Sequence, residues 1–159
     1  MAQGDGISKK SERKIRTMKR ILVISWYFRP INSSEGLVTY KLLKNSKYQY
    51  DVCMQDSNDS WSYGKNEQLP ECGNVKKICL QGESLDTWKS AAVEYFRKHQ
   101  NEYDIVMTRS MPPESHEIGL EIKKMKPGIT WIASFGDPIA NNPFVLKGMQ
   151  TMSPYSLQM

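Results

Sequence analysis

The hydrophobic residues of this chain fall into short runs that alternate with segments of helix-like spacing. Five runs are short, rich in β-branched or aromatic residues and bounded by polar or turn-forming residues, which is typical of strands. The first run is apolar almost throughout, and this predicts a strand buried on both faces of a parallel sheet. The five predicted strands are RILVISW (20–26), YQYDVCMQD (48–56), NVKKICL (74–80), YDIVMTR (103–109) and ITWIASF (129–135).

The segments between these strands place apolar residues at the spacing of amphipathic helices. Ser33 and Ser34 offer side-chain caps for the first helix, and Ser84 offers one for the second. The third helix begins with proline, which is well tolerated in a first turn. The three predicted helices span residues 33–46, 84–100 and 112–126.

The alternation of strand and helix predicts an open α/β domain of Rossmann-like type, with a mostly parallel sheet and helices on both faces. Residues 57–73 are polar, contain Gly and Pro, and are predicted to form a long loop. We expect the domain to span residues 20–148, after a basic flexible leader (1–19) and before an irregular tail (149–159).

The net positive charge of the chain lies in residues 1–20, that is, in the leader and Arg20. Lys and Arg outnumber Asp and Glu by 22 to 17, and residues 1–20 contain seven of the basic and two of the acidic side chains. The remainder is neutral, which argues against a nucleic-acid partner because such partners need basic charge on the folded domain. The leader is either a solvated tail or a weak contact with an anionic membrane surface.

The cysteines and the hydropathy indicate a cytoplasmic location, at most peripheral to the inner face of the membrane. Three cysteines without C-x-x-C spacing predict neither a disulfide framework nor a zinc site. Cys53 and Cys79 are expected to fill space in the core. The longest apolar run, near Ile21, is far shorter than the ~20 residues needed to span a bilayer.

Three loops leave the carboxyl ends of the predicted strands, where open α/β folds bind ligands. The first lacks both the dinucleotide fingerprint and the P-loop pattern. It does provide a helix start at Ser34, Glu35 and Gly36, where free N–H groups and the helix dipole favour an anion. The alternative is a cap that only starts the helix. We expect this turn to be exposed, so that Gly36→Val leaves the fold intact.

The other two loops supply further candidate ligand-binding residues. Arg109 and Ser110 follow the fourth strand, and His116 lies in the next helix. Arg109 suits a phosphate or a sugar acid, and His116 suits a sugar hydroxyl. The alternative is an exposed Arg and an ordinary helix-start His. Asp137 follows the fifth strand in an Asp-Pro pair that is also typical of a turn. No metal ligands cluster in the sequence, so we expect no cofactor.

Three blocks of this sequence, in this order, resemble the N-terminal domain of family 4 retaining glycosyltransferases of the GT-B architecture. The resemblance covers about residues 20–145. It implies two Rossmann-like domains facing a cleft, with the acceptor on the N-terminal domain. The C-terminal domain would bind most of the nucleotide-sugar donor, often through an E-x(7)-E pattern. The blocks are ILVISWYFRPINSSEGLVTYKLLK, YDIVMTRSMPPESHEIGLEIKK and PGITWIASFGDPIANNPF.

The resemblance implies that Gly36 approaches donor phosphate, while Arg109, Ser110, His116 and Asp137 line the acceptor and sugar side. It implies no metal, and no transfer by this chain without a donor domain. In the whole enzyme, the partners would be a nucleotide-sugar donor and a glycan or lipid-linked acceptor.

The sequence departs from the family at three places. Glu35 stands where members commonly have the first Gly of a Gly-Gly pair, and Arg109 stands where many have His. Ser134 and Gly136 replace an acid and an Arg in a pattern that often reads Asp-Phe-Arg-Asp-Pro. These departures leave two alternatives open. One is a degenerate, non-catalytic module that binds a sugar or a partner, and the other is an unrelated nucleotide-binding domain.

Overall fold

The computed structural model describes residues 19–55, 69–82 and 84–136. Each predicted strand and helix in these ranges is present, with ends trimmed by a few residues. The basic leader, most of the predicted loop, and the tail after Gly136 lie outside the described residues. The elements are β1 (Arg20–Ile24), α1 (Ser34–Lys44), β2 (Gln49–Met54), β3 (Val75–Cys79), α2 (Leu85–His99), β4 (Ile105–Arg109), α3 (Glu114–Met125) and β5 (Thr130–Ser134).

The five strands form one open sheet in the order β3-β2-β1-β4-β5. All four neighbouring pairs are parallel. The chain builds outward from β1 to β2 and β3, then returns to β4 on the other side of β1 and continues to β5. This reversal of strand order lies between β1 and β4, and it confirms the predicted Rossmann-like open α/β fold.

Helices cover both faces of the sheet. The side chains of consecutive strand residues point to opposite faces. Thr108 contacts His116 of α3, whereas its neighbour Arg109 contacts Thr39 of α1. α1 therefore lies on one face, and α3 lies on the other, where it packs beside α2. Covered on both faces, β1 buries four of its five residues, as the apolar run predicts.

The helix starts follow the predicted caps. The Ser33 hydroxyl accepts a hydrogen bond from the backbone N–H of Gly36 at 2.9 Å. Ser84 and Thr87 form a reciprocal capping box at the start of α2. α3 begins after Pro113 without a side-chain cap. Polar serines thus satisfy N–H groups that would otherwise lack partners at two of the three helix starts.

The core lies between the sheet and the helices and is centred on aromatic side chains. Trp88 of α2 is fully buried and meets Trp26 edge-on, with ring centroids 5.1 Å apart. Cys53 is buried in the sheet, as predicted. The prediction that Cys79 fills core space is wrong, because Cys79 is exposed at the end of β3. β3 is an edge strand, so its residues have a neighbouring strand on one side only.

A polar network closes the sheet at the amino ends of its strands. The carboxylate of Asp51, in β2, is buried and accepts hydrogen bonds from the Arg20 guanidinium at 2.5 Å and the Tyr103 hydroxyl at 2.6 Å. Tyr103 also meets the hydroxyl of Tyr95, from α2. Burial and the hydrogen bond to Asp51 raise the pKa of the Tyr103 phenol far above its usual range. Tyr103 therefore stays protonated and tied to Asp51.

Candidate functional site

The candidate residues meet at the carboxyl edge of the sheet, beside the point where strand order reverses. The loop after β1 leads into α1 there, and the loop after β4 leads into α3. Two loops that diverge to opposite faces leave a crevice between them, which is where ligands bind in open α/β sheets. We name this region the carboxyl edge and define it by Glu35, Arg109, Ser110, His116 and Gly136.

Arg109, the last residue of β4, has a buried side chain whose three nitrogens all have partners. Nη2 donates to Glu35 Oε2 at 2.7 Å and forms an ion pair with it. Nη1 donates to Ser134 Oγ at 2.6 Å, and Nε donates to Thr39 Oγ1 at 3.2 Å. Only 3% of the Arg109 side chain is exposed. Its charge is therefore satisfied inside the protein, and it ties β4 to α1 and β5.

Glu35 reaches this pair from the first turn of α1. A carboxylate at a helix N-terminus is stabilised by the helix dipole, and here the side chain also bends over the sheet toward Arg109. Its side chain is 14% exposed. Gly136 lies beside the carboxylate, and a Cβ at that position would overlap Glu35 Oε1. The two departures Glu35 and Gly136 therefore fit each other, because the glycine leaves room for the carboxylate.

His116 lies on the other face of β4. Its Nδ1 is 2.8 Å from Thr108 Oγ1, which also accepts a hydrogen bond from Trp131 Nε1 at 3.0 Å. The hydroxyl of Thr108 can accept a second hydrogen bond or donate its own proton, so either ring tautomer of His116 fits this contact. The other ring nitrogen, Nε2, is buried and has no hydrogen-bond partner in the part of the chain that the structure describes.

The surroundings of His116 keep its ring neutral. Burial, followed by the nearby positive charge of Arg109, lowers the pKa of His116 below its ordinary value of 6.5. The ring of Phe135 packs against the imidazole at 4.1 Å between centroids, and 54% of Phe135 is exposed. An exposed aromatic surface and a neutral imidazole with one unpartnered nitrogen therefore lie together at this point.

The lowered pKa predicts a loss of stability on acidification. Between pH 7 and about pH 5, His116 takes up a proton in the unfolded chain first, because its unfolded pKa is the higher one. The free energy of unfolding therefore falls as the pH drops through 6.5 and levels off below the folded pKa. His116→Gln removes this contribution, so the stability difference between wild type and variant should shrink in urea unfolding at lower pH. Parallel pH profiles would contradict this.

The other predicted site residues differ in exposure, and one of them lies outside the described residues. Ser110 is buried, and its hydroxyl accepts a hydrogen bond from the Gly136 N–H at 2.6 Å, so it holds the end of β5. Ser34 is exposed at the start of α1. The expectation that the turn is exposed at Gly36 is wrong, because Gly36 is packed against the loop that precedes α1. Asp137 lies outside the described residues.

Sequence reasoning missed Thr39, Thr108 and Phe135. A signal for Thr39 was available, since it follows Glu35 by one helical turn and shares its face. Thr108 alternates with Arg109 along β4, so its position on the opposite face was readable from strand geometry. The contact of Phe135 with His116 joins α3 to β5 and has no local sequence signal.

Metal binding and membrane insertion find no support among the described residues. In residues 19–55, 69–82 and 84–136, no three His, Cys, Asp or Glu side chains group as metal ligands. No helix in those same ranges has the length and apolar character needed to cross a bilayer. The chemistry available at the carboxyl edge is therefore hydrogen bonding, aromatic contact and one internal ion pair.

Comparisons with known proteins add no identification. No protein-family model matches the sequence. Neither a curated protein nor a solved structure matches it either.

Proposed function

We propose that this chain is the N-terminal, acceptor-binding domain of a nucleotide-sugar-dependent glycosyltransferase that retains anomeric configuration. One observation carries the proposal. The three sequence blocks that resemble family 4 glycosyltransferases are far apart in the chain, yet their strand ends meet at the carboxyl edge. Glu35 belongs to the first block, Arg109 to the second and Ser134 to the third, and Arg109 bonds to both others.

The chemistry of the edge suits a neutral sugar. His116 Nε2 is a buried ring nitrogen without a partner among the described residues, which a sugar hydroxyl that reaches it would satisfy, and the exposed ring of Phe135 offers an apolar surface beside it. The Glu35–Arg109 pair holds α1, β4 and β5 in place around this position. The role of the domain is thus to bind and orient an acceptor, which is the positioning part of catalysis.

Transfer itself needs a donor domain. The donor phosphates would be held chiefly by that second domain, as the resemblance implies, and no metal is required. We place the protein in the cytoplasm, with the basic leader making weak contact with an anionic membrane surface if the acceptor is lipid-linked.

A non-catalytic sugar- or partner-binding module is the second candidate. The observation in its favour is that every nitrogen of Arg109 is used inside the protein, so this cation is not free to meet a leaving phosphate. The coding sequence downstream of Met159 separates the two candidates. An α/β domain with an E-x(7)-E pattern there favours the enzyme, and a stop codon favours the module.

A sugar titration of the isotope-labelled chain tests the acceptor site. We expect neutral mono- and disaccharides to shift the resonances of His116 and Phe135, with dissociation constants on the order of millimolar because only one side of a cleft is present. His116→Ala should weaken binding about tenfold. His99→Ala, a histidine at the end of α2, should leave it unchanged. Nucleotide sugars should give no turnover.

Two outcomes would contradict the proposal. Sugar-induced shifts at the amino ends of the strands, near Asp51, would place the site elsewhere. Robust sugar transfer by residues 1–159 alone would refute the acceptor-half assignment, because it would not need a donor domain.

A further inference from the structure

The carboxyl edge carries two formal charges that cancel each other. The guanidinium of Arg109 and the carboxylate of Glu35 form an ion pair that is largely shielded from water, with side chains 3% and 14% exposed. Of the five residues that define the carboxyl edge, His116 is the third titratable one, and its burial and Arg109 lower its pKa and so favour the neutral ring. These five residues together therefore carry no net charge.

Glu35 occupies a well-defined position within this arrangement. Its Oε2 accepts from Arg109 Nη2, and its Oε1 lies against Gly136, where any side chain would overlap it. One carboxylate oxygen is thus held at the end of β4, and the other lies in the space that Gly136 leaves after β5. A phosphate or carboxylate of a ligand that came to Arg109 would have to displace it.

We propose that Glu35 is a specificity-determining residue, whose carboxylate stands where an anionic ligand group would meet Arg109 and so restricts the carboxyl edge to neutral, hydroxyl-bearing groups. For the class of ligand, a sugar, this inference rests on the proposed function. The exclusion of anions rests on the ion pair alone. Two effects produce it: the Arg109 charge is already neutralised, and the Glu35 carboxylate repels a second anion at short range.

This role differs from the one that the sequence pattern favours. A helix start after a strand favours an anion at its N–H groups. Here the helix carries its own anion in the first turn, and the N–H of Gly36 is already bonded to the Ser33 hydroxyl. The same Glu35 carboxylate also pairs with Arg109. It therefore takes the position that a bound anion would have between the helix start and this arginine.

The test uses the 159-residue chain with inorganic pyrophosphate as the probe. Wild type should show no pyrophosphate-dependent shift of the Arg109 side-chain N–H resonances. Glu35→Gln removes the negative charge that neutralises Arg109 while keeping a side chain of similar shape, and we expect pyrophosphate affinity to rise by about tenfold or more, since ionised partners make the stronger hydrogen bonds. The midpoint of thermal unfolding of this variant should rise with pyrophosphate. Adding Arg109→Gln to it should abolish both effects.

Glu102→Gln is the matched control. Glu102 also pairs with an arginine, Arg20, but at the amino ends of the strands. It should gain no pyrophosphate binding. A folded Glu35→Gln variant that gains none would overturn the inference. Binding of pyrophosphate at Arg109 in wild type would overturn it as well, and this arm requires no variant to fold.

The outcome is separable from that of the proposed function. If neutral sugars do not bind wild type but Glu35→Gln gains pyrophosphate, the charge role of Glu35 stands and the glycosyltransferase proposal falls. If sugars bind at His116 and the variant gains nothing, the acceptor site stands and the specificity role of Glu35 falls.

Discussion

Replacing Asp51 with alanine is expected to lower the free energy of unfolding by about 3 kcal/mol, the low end of the range for breaking a buried ion pair. The carboxylate is 4% exposed and accepts hydrogen bonds from Arg20 and Tyr103. Alanine leaves both donors without this partner inside the fold. The lower end applies because the Arg20 side chain is 29% exposed and keeps a second carboxylate, Glu102. Urea unfolding monitored by circular dichroism measures the change.

A double-mutant cycle shows whether the network acts as a unit. Tyr103→Phe removes only the hydroxyl and should cost about 1 kcal/mol, the usual net value of one hydrogen bond. In the Asp51→Ala background the same change should cost less, because its main partner is already gone. Asp86→Ala serves as the control, since Asp86 is 90% exposed and its replacement should change stability little.

A loss of less than about 1 kcal/mol for Asp51→Ala alone would contradict the first prediction. It would show that water replaces the Asp51 carboxylate at little cost in stability.

The fold could be predicted from sequence because its signals are local. The run RILVI reads as a buried parallel strand, and β1 is covered on both faces. Ser33 and Ser84 indicate the starts of α1 and α2, and the side chain of each accepts a hydrogen bond from a backbone N–H in the first turn, as expected of an N-cap. These features depend on residues within a few positions of each other. Hydrophobic period and capping chemistry therefore carry enough information to place them.

The Glu35–Arg109 pair could not be predicted in this way. Its partners are 74 positions apart, and the pairing depends on α1 and β4 meeting across the crossover beside β1. A sequence shows that Glu35 follows an N-cap and that Arg109 ends a strand. It does not show the direction in which either side chain bends. Arg109 was therefore expected to face a ligand, whereas the structure pairs it inside the protein.

The placement of Cys79 failed for a related reason. The pattern NVKKICL is compatible with a strand at any position in a sheet, and strand order is not written in the sequence of a single strand. β3 lies at the edge of the sheet, and none of its five residues is fully buried. Two lysines in the middle of this strand fit an edge position, because charged side chains discourage pairing with another chain. The two lysines therefore indicate an edge strand.

The class of ligand that suits the carboxyl edge depends on whether Arg109 is paired. An Arg109 without a carboxylate partner at the end of β4 would have favoured a phosphate, and the absence of Glu35 would have left its Nη2 without that partner. With the pair formed, the five residues of the carboxyl edge carry no net charge, and the His116 ring lies beside Phe135. The pair thus neutralises the cation that would otherwise attract an anionic ligand to the strand ends.

Gly36→Val is expected to destabilise the fold by roughly 1–3 kcal/mol, the usual cost of overpacking a buried site. A Cβ at Gly36 would lie 2.9 Å from Ser33 Oγ and 3.1 Å from the carbonyl oxygen of Ile31. The hydroxyl could rotate away only by giving up the cap of α1, and the carbonyl could move only by shifting the loop before α1 by a few tenths of an ångström. A stiffer unfolded chain offsets at most about 1 kcal/mol of this strain.

Gly73→Val is the matched control, because a Cβ at Gly73 meets no atom within 4 Å. It should leave the midpoint of urea unfolding nearly unchanged, whereas Gly36→Val should lower it. Equal midpoints for the two variants would show that the loop before α1 relaxes freely. This comparison also decides how activity data on the turn are to be understood. Since Gly36 is buried, a loss of ligand binding in Gly36→Val would report a damaged helix start, and phosphate contact at this turn has to be tested through Glu35 instead.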